Sequence, residues 1–299
     1  MPDAPPPLDP TNARAALAEA ADAAGVDAAG ADLIRLGENA VFRLREPVIA
    51  RVARSTARLP DAEREIRVAR WLAGVGIRAI QPLDVPQPVE VSGRVVTLWK
   101  SANDEEEYGS TAELGAILRE LHTLQAPADL ALPKLAIFDR ALERIKTVPG
   151  ISDRDRTFLI DRADQLAAAY DQLTFDLLPG VIHGDANVGN LLRDRLGEAL
   201  LMDLDSFAIG AREWDLIQTA IFFDRFGWHT ESEYRAFVAA YGYDIKTWSG
   251  YGVLRRVREL SMVSWLMQNV SSSPASAAEF EKRMQTLRTD GAARDWTPL

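Results

Sequence analysis

Residues 181–205 constrain this chain more than any other stretch. They read Val181-Ile182-His183-Gly184-Asp185-Ala186-Asn187-Val188-Gly189-Asn190-Leu191-Leu192, a charged bend through Arg195 and Gly197, then Ala199-Leu200-Leu201-Met202-Asp203-Leu204-Asp205. Two short apolar runs bracket a loop dense in Asp, Asn and Gly, and an aspartate ends the second run. Apolar runs this short, bounded by turn residues, suit buried strands better than helices. The reading therefore predicts a small sheet whose strand ends and intervening loop carry His183, Asp185, Asn190 and Asp203 to one spot.

Oxygen-bearing side chains in that order match a chemistry. Phosphoryl transfer uses one carboxylate to orient and deprotonate an attacking hydroxyl, and oxygen ligands for Mg²⁺ ions that bridge the phosphates. In H-R-D-x-x-x-x-N the base and a metal-binding Asn lie five residues apart, and a metal-binding Asp follows on a later strand. Asp185 and Asn190 have that separation, Asp203 follows the second run, and Gly184 replaces the Arg. The H-G-D form, followed by x4-N and a strand ending in D-x-D, resembles the aminoglycoside phosphotransferase family of kinase-like small-molecule phosphotransferases. Trp214-Asp215-Leu216 falls where that family has a further motif, and the resemblance covers roughly Gly37 to Leu216.

The resemblance implies an α+β, bilobal, protein-kinase-like fold. A β-rich N-terminal nucleotide-binding lobe would span residues 1–98, with 1–10 disordered, and a mainly helical catalytic and substrate-binding lobe 99–299. It makes Asp185 the base, places His183 in the catalytic group as the residue that orients the loop, and assigns Mg²⁺ to Asn190 and Asp203. Asp205, the second carboxylate of D-x-D, is open between metal ligand, brace and substrate contact. Asp215 resembles the aspartate that braces the catalytic loop.

Composition narrows the partners. The 299 residues are 47% hydrophobic and 26% charged, as in ordinary globular chains. The 44 acidic residues against 34 basic give a net charge of −10, which disfavours nucleic acid or an anionic membrane as partner. Cysteine is absent, so disulfides and thiolate metal sites are excluded. Met1 to Pro10 is proline-rich and lacks the apolar segment of a signal peptide. No run is apolar and long enough to span a bilayer, the Ser261 to Val270 segment included. A soluble, cytoplasmic protein is expected.

Along the chain, Thr11 or Asn12 is the expected cap of an Ala-rich helix reaching about Ala24, with little in it that reads as core. Three β-type segments follow, Asp32 to Leu36, Ala40 to Arg45 and Val48 to Arg54. By the resemblance, Gly37-Glu38-Asn39 is the hairpin turn over the phosphates, with one Gly in place of three. Val48-Ile49-Ala50-Arg51 lines up with V-A-I-K, the strand that carries the phosphate-pairing Lys of kinases. Guanidinium binds in planar, bidentate fashion and ammonium as a point charge, but both neutralise phosphate oxygens.

In the next helix, opened by Pro60-Asp61 and closed by Gly74, Glu65 shares an apolar stripe with Val68 and Leu72. An unpaired carboxylate there is costly, so a cationic partner is expected. Arg51 is the candidate for the ion pair that kinases need, with Glu63 and Glu105 as rival acids. Val89 to Val91 and Arg94 to Trp99 read as a hairpin. In the resembled family the hinge that follows pairs with the nucleobase, which makes Leu98, Trp99 and Lys100 base-contact candidates.

From Thr111 the pattern becomes helical, with His122 as a packed structural residue, and Ser152 caps a long helix from Asp153 to about Leu173. Residues 222–251 hold ten of the chain's 23 aromatics, which suit the walls of a ring-bearing acceptor site as well as a core. Acids and bases balance from Ser206 to Leu260, seven of each, so charge does not support an acidic pocket for polycations.

The function expected from these residues is transfer of the γ-phosphate of ATP (or GTP), with Mg²⁺, to a hydroxyl of a small molecule. An aminoglycoside-type antibiotic or amino sugar is the first candidate. Choline-, homoserine- or sugar-like metabolites are alternatives, as is a catalytically inactive nucleotide-binding protein. A metallohydrolase built on His183, Asp185, Asp203 and Asp205 needs more ligands than one loop supplies, and the chain has three histidines in all. Arg51, Glu65, Gly37, Leu98, Trp99 and Lys100 are assigned to the nucleotide, Asn190, Asp203 and Asp205 to the metal. Neither nucleic acid nor membrane is an expected partner, and the protein is expected as a monomer or homodimer.

Overall fold

The computed structural model describes residues 6–271, 273–289 and 294–298. In chain order these begin with α1 (Pro10–Ala24), β1 (Asp32–Leu36), β2 (Asn39–Arg43), β3 (Val48–Ala53), α2 (Leu59–Gly74), β4 (Val89–Val91) and β5 (Arg94–Lys100). Then come α3 (Thr111–Leu121), α4 (Ile137–Thr147), α5 (Asp153–Tyr170), β6 (Gly180–Ile182), β7 (Leu191–Arg193), β8 (Ala199–Leu201) and β9 (Ala208–Gly210). Helices α6 (Glu213–Asp224), α7 (Glu231–Tyr241), α8 (Tyr251–Leu266) and α9 (Pro274–Arg288) complete the order. Two compact units result, the first drawn from Met1–Gly109, Ala126–Leu132 and Val188–Phe207, the second from Ser110–Gln125, Pro133–Asn187 and Ala208–Leu299.

The first unit is built on an antiparallel sheet of order β1-β2-β3-β5-β4. Strand alternation turns Val48, Ala50 and Val52 into one core with Ala40, Phe42, Val96 and Leu98, and α1 covers it with Ala13, Ala16, Leu17 and Ala20. The Ala-rich helix therefore contributes a whole buried face, contrary to the expectation of little core. Its small side chains are spaced to lie on one stripe, a face that the slight volume of alanine conceals. Asp9, not Thr11 or Asn12, is the cap; its carboxylate accepts from the Thr11 and Asn12 N–H groups while Asn12 reaches back to complete a capping box.

The disorder expected over residues 1–10 falls partly outside the described residues, at 1–5. Within residues 6–10, the Pro6 carbonyl accepts from Arg94 at 2.7 Å and that of Pro7 from Asn12 at 2.7 Å.

The catalytic stretch does not form the single small sheet expected of it. β7 pairs with β8 in the first unit and β6 with β9 in the second. The β7–β8 hairpin turns through Arg195 and Gly197, and Leu201 is further tied to the Arg78 carbonyl and the Ile80 N–H, at 3.0 and 2.8 Å. Short 3-10 turns at Val188–Asn190 and Leu204–Ser206 flank the hairpin.

Helices dominate the second unit. A Cβ at Gly115 would meet the Phe237 carbonyl oxygen at 2.7 Å, so only glycine allows the close approach of α3 to α7 there. Ser152 caps α5 as expected, but the helix ends at Tyr170. Residues 294–298 pack back on the helices: Arg294 lies 3.5 Å from Glu259, Trp296 stacks on Phe226 with centroids 4.8 Å apart, and the Thr297 N–H donates to Glu279 at 2.8 Å. Among the described residues, no helix is long and apolar enough to cross a membrane.

Candidate active site

In the first unit, Arg51 and Glu65 form the expected pair. Arg51 Nη1 donates to Glu65 Oε1 at 2.7 Å, with the side chains 17% and 9% exposed. The pair arises because β3 points Arg51 away from the α1 core and the buried stripe of α2, with Ile66, Val68, Ala69 and Leu72, includes Glu65. Glu63 and Glu105 are exposed and play no part in it. The Arg51 guanidinium also lies over the Trp99 ring, 5.4 Å from its centroid, and Trp99 is held by a 2.8 Å bond from its indole N–H to Thr97.

Charges concentrate here. Burial pushes the Glu65 carboxyl above its ordinary range against the pull of Arg51, and the charges of Asp205 and Asp203 add to the rise. Burial works against the Arg51 charge too, but Glu65, Asp203 and Asp205 outweigh it and hold that guanidinium above its ordinary value. Arg64 on α2 donates to Asp61 at 2.6 Å and to the Asp205 backbone carbonyl at 3.4 Å, which ties the helix to the D-x-D turn.

Asp203 itself has φ +59°, a left-handed conformation rare outside glycine and a form of strain that clusters at functional sites. The Asn190 carbonyl accepts from the Met202 N–H at 3.0 Å, which brings the two ends of the hairpin together. Asp205 Oδ1 accepts from the Ser206 hydroxyl at 2.9 Å.

These donors suit a hard cation. Oxygen ligands in small number fit Mg²⁺, which commonly takes one or two carboxylates and completes its octahedron with phosphate oxygens and water. No group of three His, Cys, Asp or Glu side chains among the described residues is placed to hold a metal unaided.

The other nucleotide candidates fare differently. Gly37 closes the β1–β2 turn, its N–H on the Asn39 carbonyl at 3.0 Å and its carbonyl accepting from Arg54 Nη2 at 2.9 Å. The backbone donors of Leu98 and Lys100, named as base contacts, have partners within the chain. The Leu98 N–H donates to Gln87 at 2.8 Å, its carbonyl accepts from Leu83 at 2.9 Å, and the Lys100 N–H donates to the Gln81 carbonyl at 2.8 Å. Their backbone donors are consumed because β5 runs on through Lys100. Trp99 meets Arg51 by its ring.

In the second unit the H-G-D loop hangs on Asp215 at the start of α6. Its carboxylate accepts from the His183 N–H at 2.7 Å, the Gly184 N–H at 2.8 Å and, through Oδ2 again, lies 3.1 Å from His122 Nε2. Tyr241 completes the chain at 2.8 Å from His122 Nδ1, so His122 is the structural residue expected of it. Burial opposes the Asp215 charge, but the hydrogen bond and charge of His122, then His183, hold it below the ordinary carboxylate range.

Gly184 has φ +85°, and a residue with a Cβ would be strained there, which explains glycine in the position where the other pattern has Arg. Its carbonyl accepts from the Trp214 indole at 2.8 Å. His183 is fully buried, with its Nδ1 accepting from the Asp185 N–H at 3.3 Å. Asp185 is presented beyond this frame with its side chain 38% exposed. His183 and Asp185 thus belong to the second unit, and Asn190, Asp203 and Asp205 to the first.

Two further residues touch Asp185 or its partner and were not singled out from the sequence. Arg258 Nη2 on α8 donates to Asp185 Oδ1 and to Gln218 Oε1. A signal was present: Arg258 follows Leu254 and Val257 on the buried stripe of α8, as Glu65 lies on that of α2.

A sequence model described as the phosphotransferase enzyme family matches residues 33–260. No curated protein matches the chain. Among solved structures, the amicoumacin kinase hAmiN, in complex with AMP-PNP, Ca²⁺ and Ami, is similar with TM-score 0.75 and 16% identity, over 96% of this chain and 97% of that one. Spectinomycin phosphotransferase, APH(9)-Ia, in complex with ADP and spectinomycin, gives TM-score 0.65 and 15% identity, over 97% of each chain. A choline/ethanolamine kinase family protein from Mesorhizobium loti gives 0.60 and 17%, over 94% and 95%. At these identities the structural likeness bears on the fold, which is α+β and protein-kinase-like. With the family match spanning most of its length, the chain belongs to the phosphotransferase enzyme family and is a phosphotransferase that acts on a hydroxyl group of a small molecule.

Proposed function

We propose that this protein transfers the γ-phosphoryl group of ATP or GTP to a hydroxyl of an antibiotic-like small molecule, an aminoglycoside-type compound or amino sugar first among them. One observation carries the reading: a carboxylate, Asp185, stands partly exposed at the end of a loop whose backbone is pinned by a fully buried aspartate. A general base needs that combination of access and fixed direction. The similar folds whose names give antibiotics as ligands support the acceptor class.

Each residue has one task. Arg51, held by Glu65, neutralises phosphate oxygens. Asn190 and Asp203 are the residues that would hold Mg²⁺, with Asp205 braced by Ser206 beside them; when bound, the ion offsets the charge that develops on the phosphates. Asp185 takes the acceptor proton as the acceptor oxygen bonds to the γ-phosphorus and the bond to the β,γ-bridging oxygen breaks, releasing ADP (or GDP). His183 and Asp215 keep the loop in the required conformation.

ADP release from Mg-ATP, measured with kanamycin, spectinomycin, glucosamine, choline and homoserine, tests this. Acceptor-dependent release with an antibiotic or amino sugar, lost in Asp185→Asn while Mg-ATP still binds, is the expected result. Release with choline or homoserine alone would overturn the acceptor class, and nucleotide binding with no release would overturn the enzymatic reading.

A further inference from the structure

Arg258 lies 73 residues beyond Asp185 in the chain, yet it is 7% exposed and its Nη2 donates to Asp185 Oδ1. Two groups besides Asp185 hold the guanidinium in place. Gln218 on α6 accepts from the same nitrogen, and the Trp214 ring lies under it with its centroid 5.0 Å from Cζ. Trp214 is itself anchored by its indole N–H on the Gly184 carbonyl, within the loop that presents Asp185. The loop and the guanidinium are thus aligned by one indole.

The arrangement is expensive as a purely structural device. Arg258 Nε is buried without an acceptor among the described residues, and burying a guanidinium with incomplete hydrogen bonding opposes folding. The Trp214 ring beneath the guanidinium is an apolar surface that a methionine would also cover. What an apolar side chain cannot do is hold a carboxylate by one oxygen.

We infer that Arg258 is a positioning residue for the base: by binding Oδ1 it stops rotation of the Asp185 carboxylate and aims Oδ2 in one direction. The inference rests on the reading of Asp185 as the proton acceptor. General base catalysis depends on geometry first, and Arg258 fixes one oxygen of a carboxylate that is 38% exposed. Arg suits the task because a planar guanidinium seated on Trp214 and bonded to Gln218 gives its Nη2–H a fixed direction, whereas Lys supplies charge without that direction.

The test uses the full-length protein and phosphate release from Mg-ATP with water as the acceptor, comparing Asp185→Asn, Arg258→Gln, Arg258→Lys, Gln218→Leu and the double variant Asp185→Asn/Arg258→Gln. Arg258→Gln is expected to lower kcat by about 10- to 100-fold with KM for Mg-ATP changed by less than about twofold. Arg258→Lys should recover part of that loss, and Gln218→Leu should lose a few-fold. In the Asp185→Asn background the Arg258 change should have no further effect, because it acts through that carboxylate.

Should Arg258→Gln fail to fold, as a thermal melt would show, Arg258→Lys and Gln218→Leu carry the same comparison. Unchanged kcat in these variants, a loss that multiplies with Asp185→Asn, or a rise in kcat that marks the pair as a block, would each overturn the inference alone. Full turnover in Asp185→Asn would instead remove the base reading on which it stands.

Discussion

Arg51 and Glu65 lie where local reading works best, because each signal sits within one element. A charged side chain on an otherwise buried stripe demands a partner, and strand alternation supplies the direction. Arg51→Met should leave Glu65 as an uncompensated buried carboxylate and cost about 3 kcal/mol in urea unfolding. Adding Glu65→Gln should restore most of that stability but not the KM for Mg-ATP, which separates the fold from the function of the pair.

Asp215 makes a different demand. Its folded pKa is depressed, so its contribution is complete above the unfolded value of about 3.9 and is lost as pH falls through the folded one. Asp215→Ala removes the acceptor of the His183 and Gly184 N–H groups and should cost about 3 kcal/mol at pH 7. Unfolding curves from pH 7 downward should show the gap to the parent protein narrowing below pH ~4.

Elements were legible to the extent that they are local. The strands Asp32–Leu36 and Val48–Ala53, the Ser152 cap and the Glu65 helix follow from alternation, capping residues and periodicity. Pairing does not follow, because hydrogen bonds between strands are set by the rest of the unit. Two short apolar runs around one loop suggested one sheet, yet β6 joins β9 and β7 joins β8. Arg258 escaped for a related reason: its stripe on α8 was readable, but the carboxylate it serves lies 73 residues away. The close crossing of α3 and α7 is another non-local feature, visible only as a glycine in an ordinary helix. Gly115→Val should lower stability by about 2 kcal/mol, read from the thermal midpoint, because its Cβ meets backbone 2.7 Å away.

For the whole molecule, the family span of residues 33–260 leaves α1 and α9 outside it, although α1 covers the sheet of the first unit and residues 294–298 are locked to Glu259 and Glu279. Architecture and reaction class were accessible from a few polar positions, and α1 from its alanines; the buried face of α1 and the packing of residues 294–298 were not, because they are set by contacts with distant parts of the chain. Since no three-acid cluster occurs among the described residues, chelation by EDTA should abolish ADP release and leave the thermal midpoint within about 2 °C.

The guanidinium at position 51 has a practical consequence for anyone surveying nucleotide-dependent enzymes. Acyl-phosphate and sulfonyl fluoride derivatives of ATP mark their targets by capturing a nucleophilic amine beside the bound phosphates. Arg51 stays protonated and offers no such amine. If Arg51 takes the phosphates as proposed, covalent profiling that relies on an amine from β3 will pass over this protein.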